Sequence, residues 1–482
     1  MMDNKERCDM KKSLFILTFL FGLLFAQDTI WIRRLDTGWE EIANGIASFG
    51  EEIAIAGYIW DGEQGDVFVA KYNQAGETLW TRRFDTGFDD YAIDVAFDNQ
   101  KNILVSGYSP LLKSKGPKAK PWWPKINLSN KQYFYSLTIK CDSTGERRWM
   151  KQEIDRLSFG ITTDQEGNVY TGGGVLTEEF NLDFWFQKYN TDGETVWSKT
   201  FHFAPINLVY RLATDREGNI LAAGTAWEET SVIGFIFKIS PAGETIWTRT
   251  YRENIYNYLV GVAADQNNNV IACGIVGDTI NADYLILKYD PNGNLLWATN
   301  FDNALDDEAF GVATDQNNNI FVTGLSGDYY LYDYLTLAYD PAGNNLWLAT
   351  YDNGDDDEGG DVICDGDGNP IVTGTSFANN YDFLTIKYHS GVGLKESKPF
   401  STLSKKETTI FAPPIKIAVS SSGYYEINLY DYQGREVRKI YQGYLSAGTH
   451  LFPVKKTPSG LYFLRFGKKG EKKKTLRVIS LH

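Results

Sequence analysis

A tryptophan returns along this chain at Trp31, Trp80, Trp149, Trp197, Trp247, Trp297 and Trp347, with intervals of 49, 69, 48, 50, 50 and 50 residues. A fixed period of that size means a repeat architecture, and it governs how every motif inside it is read. The clearest copy runs from Trp297 to Trp347 and holds four short runs suited to strands: EAFGVAT, NIFVTG, YDYLTLAY and NNLWLATY. They are separated by DQNN, SGDYYL and DPAG, whose Asp, Asn, Gly and Pro are turn formers. The runs are apolar on both faces, which suits a sheet packed between two others, and helical periodicity is absent.

Four strands and one aromatic anchor per unit predict propeller blades. The first run of the unit recurs near residues 41–47, 91–97, 158–163, 207–213, 259–265, 309–315 and 359–363, so the expected fold is all-β with seven blades. The last copy ends at DFLTIKYHSGVG without a tryptophan strand, whereas DTIWIRRLDTG near the start is an orphan one. The first strand is therefore expected to close the last blade, removing open edges. At Asp283-Tyr284, Lys288-Tyr289, Gly293, Asp315, Asn319 and Gly324 the units resemble the SBBP family of seven-bladed β-propeller repeats. That resemblance implies the fold and carries no common activity.

Charge divides the chain. Residues 28–394 hold 26 basic and 53 acidic side chains, and residues 395–482 hold 17 and 6. So acidic a body excludes nucleic acid as an expected partner. Before it, Lys11 and Lys12 precede the apolar run Leu14–Phe25 and then Ala26, which reads as a signal peptide over residues 1–26. The run is shorter than the roughly 20 residues of a membrane span. No later stretch is long enough either, so no membrane span is expected in the mature chain. Cys141, Cys273 and Cys364 fall in different repeats with no close spacing, supporting neither a disulfide framework nor a zinc site.

The propeller is expected over 28–394, a charged, proline-ended linker over 395–414, and a small Ig-like β-sandwich over 415–482. Tyr430-Asp431, Gly434, Val437, Gly448, Gly460, Tyr462 and the basic run Lys472–Lys474 resemble the C-terminal sorting domain of the type IX secretion system, itself similar to FlgD-type Ig-like domains. The resemblance implies export and a secreted or cell-surface location, with the secretion machinery as the tail's partner.

Recognition is expected on the rim where loops from each outer strand to the next inner strand emerge. There Asp306, Asp307, Glu308, Asp355, Asp356, Asp357 and Glu358 make one side acidic, together with Glu40, Glu41, Asp89 and Asp90. IDRL, FHFAPINLV and YRENIYNYL make the other side apolar or aromatic. Trp60, Tyr329, Tyr330, Tyr332 and Tyr381 lie on partner loops, and a basic insertion carries Trp122 and Trp123. Such a rim suits a protein or a glycan stacked on tyrosines, or calcium. The turn at Asp365, Asp367 and Asn369 mimics the start of a calcium loop, although Pro370 stands where that loop needs glycine, and the same turn recurs without the extra carboxylate. No cofactor other than calcium is suggested. With His202 and His389 the only histidines of the propeller, and no nucleophile elbow, zinc spacing or phosphate loop, the reading leans away from an enzyme. A non-enzymatic binding or adhesion propeller, a carbohydrate-active enzyme using the acidic loops, and a structural surface component remain the three readings.

Overall fold

The computed structural model describes residues 29–111, 133–278, 282–302, 306–328 and 331–391, and in the C-terminal part 408–411, 415–419, 423–431, 436–445, 448–452, 460–468 and 474–480. The leader, Trp122, Trp123, Tyr329 and Tyr330 lie outside them. Among the described residues every regular element is a strand, and no helix is long and apolar enough to cross a membrane. Contacts divide the chain into two units, 1–393 and 394–482.

The first unit is built of antiparallel four-stranded meanders. Blade 6 shows the plan with Asp306–Thr314, Ile320–Asp328, Leu331–Tyr339 and Asn345–Tyr351, running from inner to outer strand. The seventh takes three strands from Asp357–Cys364, Pro370–Phe377 and Tyr381–Tyr388, and its outer strand from Thr29–Leu35, in register Trp31↔Lys387 to Leu35↔Phe383. The inner strands pack in a ring, each against the next and the seventh against the first. This is a β-propeller. Its three inner layers are buried, and only the outer strands alternate, as in Asn345–Tyr351.

The repeated tryptophans do more than fill space. Each indole Nε1 donates to a backbone carbonyl just past the next blade's third strand: Trp247 to Pro291 O at 3.0 Å, Trp297 to Pro341 O at 3.3 Å, Trp347 to Ser390 O at 2.8 Å. The turn presses a glycine on the ring. A Cβ at Gly343 would lie 3.1 Å from Trp297, and its φ of +87° is one that side chains rarely adopt. A third-strand lysine reaches the same carbonyl, as Lys288 Nζ does to Pro341 O at 3.2 Å. That ammonium also pairs with the aspartate of the turn between first and second strands, Lys288 with Asp265 at 3.0 Å and Lys238 with Asp215 at 2.9 Å. Paired, hydrogen-bonded charges of this kind are the form in which a lysine can be buried.

Every inner strand carries a one-residue bulge, at Asn44, Ile93, Phe159, Tyr210, Val260, Phe310 and Gly360. A bulge bends its strand and re-aims a side chain; these residues gather at the centre of the ring. The next position is glycine in four blades, Gly45, Gly160, Gly261 and Gly311, but Asp94, Arg211 and Asp361 in the others. Arg211 crosses the axis to Asp94 Oδ1 at 2.7 Å and Asp361 Oδ2 at 3.5 Å, and donates to Ile93 O and Asn44 O at 3.0 and 2.6 Å. Burial raises the pKa of both aspartates, against the pull of the guanidinium between them. The remaining axial cavity is about 20 Å³, between Asn44, Tyr210, Arg211 and Phe310, which is room for about one water. The axis is closed to larger solutes.

The second unit pairs Thr408–Phe411, Lys474–Ser480, Gly460–Lys468, Gly423–Asp431 and Glu436–Leu445 in one five-stranded sheet, and Ile415–Val419 with Gly448–Phe452 in a two-stranded one. Tyr425, Ile427, Leu429 and Leu445 are its buried apolar side chains among the described residues. Thr408–Phe411, expected as linker, is a strand running parallel to Lys474–Ser480; its TTIF sequence is β-branched and aromatic enough to pair.

Candidate functional site

The loops leading from an outer to the next inner strand fold back on themselves, and this changes what their acids do. Asp36, Asp85 and Asp352 accept from the N–H of Gly38, Gly87 and Gly354 at 2.7, 2.6 and 2.6 Å. One acid toward the end of each of these loops turns inward: Glu41 Oε1 accepts from Thr37 N at 3.3 Å, Asp90 Oδ2 from Thr86 N and Asp357 Oδ2 from Asn353 N, both at 2.8 Å. Glu41, Asp89, Asp90, Asp307 and Asp357 are consequently buried. Burial pushes Glu41 up to about 7 and Asp90 and Asp357 up to about 6. Asp307 and Asp357 are thus removed from the rim surface on which the sequence placed them. In blades 4 and 5 the position is Asn207 and Asn257, whose Oδ1 accepts from Ala204 N and Glu253 N at 3.0 Å. A neutral amide braces the loop as well as a carboxylate does.

The mouth of the ring lies one layer outward from the bulges. Blade by blade this layer carries Ile42, Tyr91, Leu157, Leu208, Tyr258, Glu308 and Glu358. The first four are buried, Tyr258 packs against them half-buried, and Glu308 and Glu358 are half-buried. The acidic side is therefore narrower than the loop sequences implied, being confined to blades 6 and 7 with Glu40 beside them.

Around Glu308 and Glu358 the aromatic side chains converge from two directions. Trp227 and Tyr258 meet edge to face at 6.0 Å, and Tyr256 stacks on Tyr258 at 6.3 Å. The Tyr258 hydroxyl pKa is raised by burial and further by Tyr256 and Glu308. On the other flank Tyr332 and Tyr381 pack on the central cluster. Asp356 Oδ1 accepts from Tyr332 N at 3.0 Å. Burial, then Asp356, Glu358 and Glu40, push the Tyr381 hydroxyl up to about 12. Asp306 is half-buried and Asp355 exposed, while Trp60 is only 7% exposed and belongs to the core. Trp227 was not singled out by sequence; its signal was its place at the end of a second strand, in register with Ile206.

Asp365, Asp367 and Asn369 form no calcium loop. Asp365 Oδ1 accepts from Asp367 N and Asn369 N at 2.9 and 2.8 Å, and Lys387 Nζ lies 2.7 Å from Oδ2, where a cation would sit. Asn369 Oδ1 is taken by Ser390 N at 3.0 Å. Burial of Cys141 pushes its thiol up to about 12, and the three described cysteines are unbridged.

No family model matches the chain, and no curated protein matches it. Among solved structures it is similar to the polysaccharide lyase Uly1, at 12% identity and a TM-score of 0.47 over 75% of this chain and 99% of that one. It is also similar to an ulvan lyase of family PL25 (10%, 0.45, 74% and 96%) and to the Dos1 propeller (9%, 0.42, 76% and 96%). At such identities the likeness is one of architecture alone.

Proposed function

We propose that this chain is an exported, non-enzymatic binding propeller of a bacterial surface or its surroundings, whose mouth takes a neutral glycan. The observation that carries the reading is the mouth itself, where half-buried Trp227, Tyr258, Tyr332 and Tyr381 flank Glu308 and Glu358. Aromatic faces cover the apolar face of a sugar ring, and carboxylates accept hydrogen bonds from its hydroxyls. The acidic body disfavours polyanionic saccharides. The axis behind the mouth is plugged by Arg211, so a ligand rests on the ring and does not thread it.

The SBBP-like motif at Asp283-Tyr284 and Lys288-Tyr289 supports a repeat scaffold, and the leader with the basic C-terminal unit supports export through a type IX system, with that unit as sorting or anchoring domain. Fractionating a type IX-competent host that expresses the full chain, or the chain ended after Gly393, tests export: equal amounts outside the cell in both cases refute it.

A glycan array probed with the full chain tests the mouth. Retention of an intact neutral glycan, lost in Tyr258→Ala and in Glu308→Gln, is the expected result. Cleavage of a bound glycan would instead favour a carbohydrate-active enzyme. No retention would favour a structural surface component.

A further inference from the structure

Two neighbouring loops of the rim, residues 201–207 and 251–257, lead into the inner strands of blades 4 and 5 and are built alike. Asn207 pins the first: its Oδ1 accepts from Ala204 N at 3.0 Å, and its Nδ2 donates to Ala204 O at 2.6 Å and Leu182 O at 2.9 Å. Asn257 pins the second, with Oδ1 accepting from Glu253 N and Asn254 N at 3.0 and 3.1 Å and Nδ2 donating to Asn254 O at 2.6 Å and Val232 O at 2.9 Å. Leu182 N and Val232 N return bonds to Pro205 O and Ile255 O, so each loop is tied to the third strand of the blade before it. A loop held in this way has little ordering left to lose when a ligand meets it.

These loops present a different surface from the acidic ones. Phe203 is 47% exposed while its ring meets buried Phe235 edge to face at 4.7 Å, and Ile255 is 43% exposed. Beside them stand two exposed polar pairs. His202 Nδ1 lies 2.6 Å from Asp183 Oδ1, and Arg252 donates to both oxygens of Glu228 at 3.1 and 3.0 Å. The position that holds His202 and Arg252 is Asp36, Asp85, Asp302 and Asp352 in the acidic loops. An exposed aromatic face covers the apolar face of a sugar ring, and a donor paired with a carboxylate meets hydroxyls in both hydrogen-bonding senses.

The patch is continuous with the mouth. Ile206 packs on the central cluster with Trp227 and Tyr258, and it is in register with Trp227. Phe203 precedes Ile206 by three positions, a backbone path of at most about 10 Å. In blade 5, Tyr256 follows Ile255 directly and stacks on Tyr258 at 6.3 Å. Mouth and loops therefore form one surface across blades 4 and 5.

We propose that this surface reads a glycan chain, with one sugar in the mouth and the sugars that follow it lying outward over Phe203, Ile255 and the His202–Asp183 and Arg252–Glu228 pairs. The inference rests on the glycan reading of the mouth and narrows its ligand to a polysaccharide or long oligosaccharide.

The test is isothermal titration of the full chain with neutral β-1,4-glucan, β-1,4-mannan, β-1,4-xylan and β-1,3-glucan oligosaccharides, from the disaccharide to the hexasaccharide. In the matching series affinity should rise about tenfold or more with length, each tenfold being about 1.4 kcal/mol. Phe203→Ala should remove that rise and leave disaccharide binding unchanged, whereas Tyr258→Ala should weaken binding at every length. Trp39→Ala, at a side chain 48% exposed on the loop of blade 1, should change neither. Equal affinity at every length, or a rise that Phe203→Ala leaves intact, overturns the proposal while the mouth keeps its glycan. Absence of binding at every length in all four series overturns the reading of the mouth along with it.

Discussion

Replacing Trp247 by alanine isolates what the repeated tryptophan contributes. The ring is 7% exposed and packs among Leu221, Leu259 and Tyr289. Burying about 200 Å² of indole is worth at most about 5 kcal/mol, and measured losses for such truncations are about 3–5 kcal/mol. The Nε1 bond to Pro291 O adds about 1 kcal/mol, but that carbonyl keeps Lys238 Nζ at 3.4 Å and is not orphaned. Arg249, stacked 5.4 Å from the ring, loses about 0.5 kcal/mol more. The expected loss is about 4 kcal/mol, or roughly 5–10 °C in Tm for a unit of this size. Trp247→Phe keeps most of the packing and should cost about 1–2 kcal/mol. Leu296→Ala, at a side chain 52% exposed, should cost under about 0.5 kcal/mol. Urea unfolding monitored by circular dichroism compares the three. A Trp247→Ala midpoint equal to wild type refutes the packing argument, and a Phe variant as weak as the Ala variant would shift the weight to the hydrogen bond.

Three further outcomes are expected. Arg211→Met leaves Asp94 and Asp361 buried without their shared cation and should cost about 3–5 kcal/mol, read as a lowered urea midpoint. Asp333 and Glu41 are pushed up to about 7 chiefly by burial, so folding favours their protonated forms. The stability this contributes is full below about pH 4 and is lost as pH rises through about 7, so Tm should fall between about pH 4 and 7, and Asp333→Asn should flatten the slope. Gly343→Ala, forced to φ +87° against the Trp297 ring, should lower Tm by several degrees, whereas Gly354→Ala, at φ +98° with open space around it, should cost less.

The repeat made the blade plan legible because tryptophan, turn and strand recur together and each copy corrects the others. The turn aspartates could be read as turn braces from DQNNN alone. Their lysine partners could not, since Lys288 lies 23 positions after Asp265 and the pair forms only when the third strand returns. The acidic loops misled for a definable reason: a run such as Asp355–Glu358 reads as solvated charge, yet alternation along the strand sends Asp357 inward and leaves Asp356 and Glu358 outward. Asn207 and Asn257 at the same repeat position were the available clue, because an amide substitutes for a buried hydrogen-bonding carboxylate and not for a surface charge. Asp94, Arg211 and Asp361 were likewise visible as the charged exceptions to a column of glycines. Only the closed ring shows that they meet.

The third strand of blade 7, Tyr381–Tyr388, has a mechanical meaning. It is hydrogen-bonded on both edges, to Pro370–Phe377 and to Thr29–Leu35, and just beyond it Ser390 O is held by Trp347 of the preceding blade. The chain leaves the propeller from this strand. Tension applied through the residues that follow would therefore load two hydrogen-bond ladders and an inter-blade clamp together, at the one blade that takes its outer strand from Thr29–Leu35.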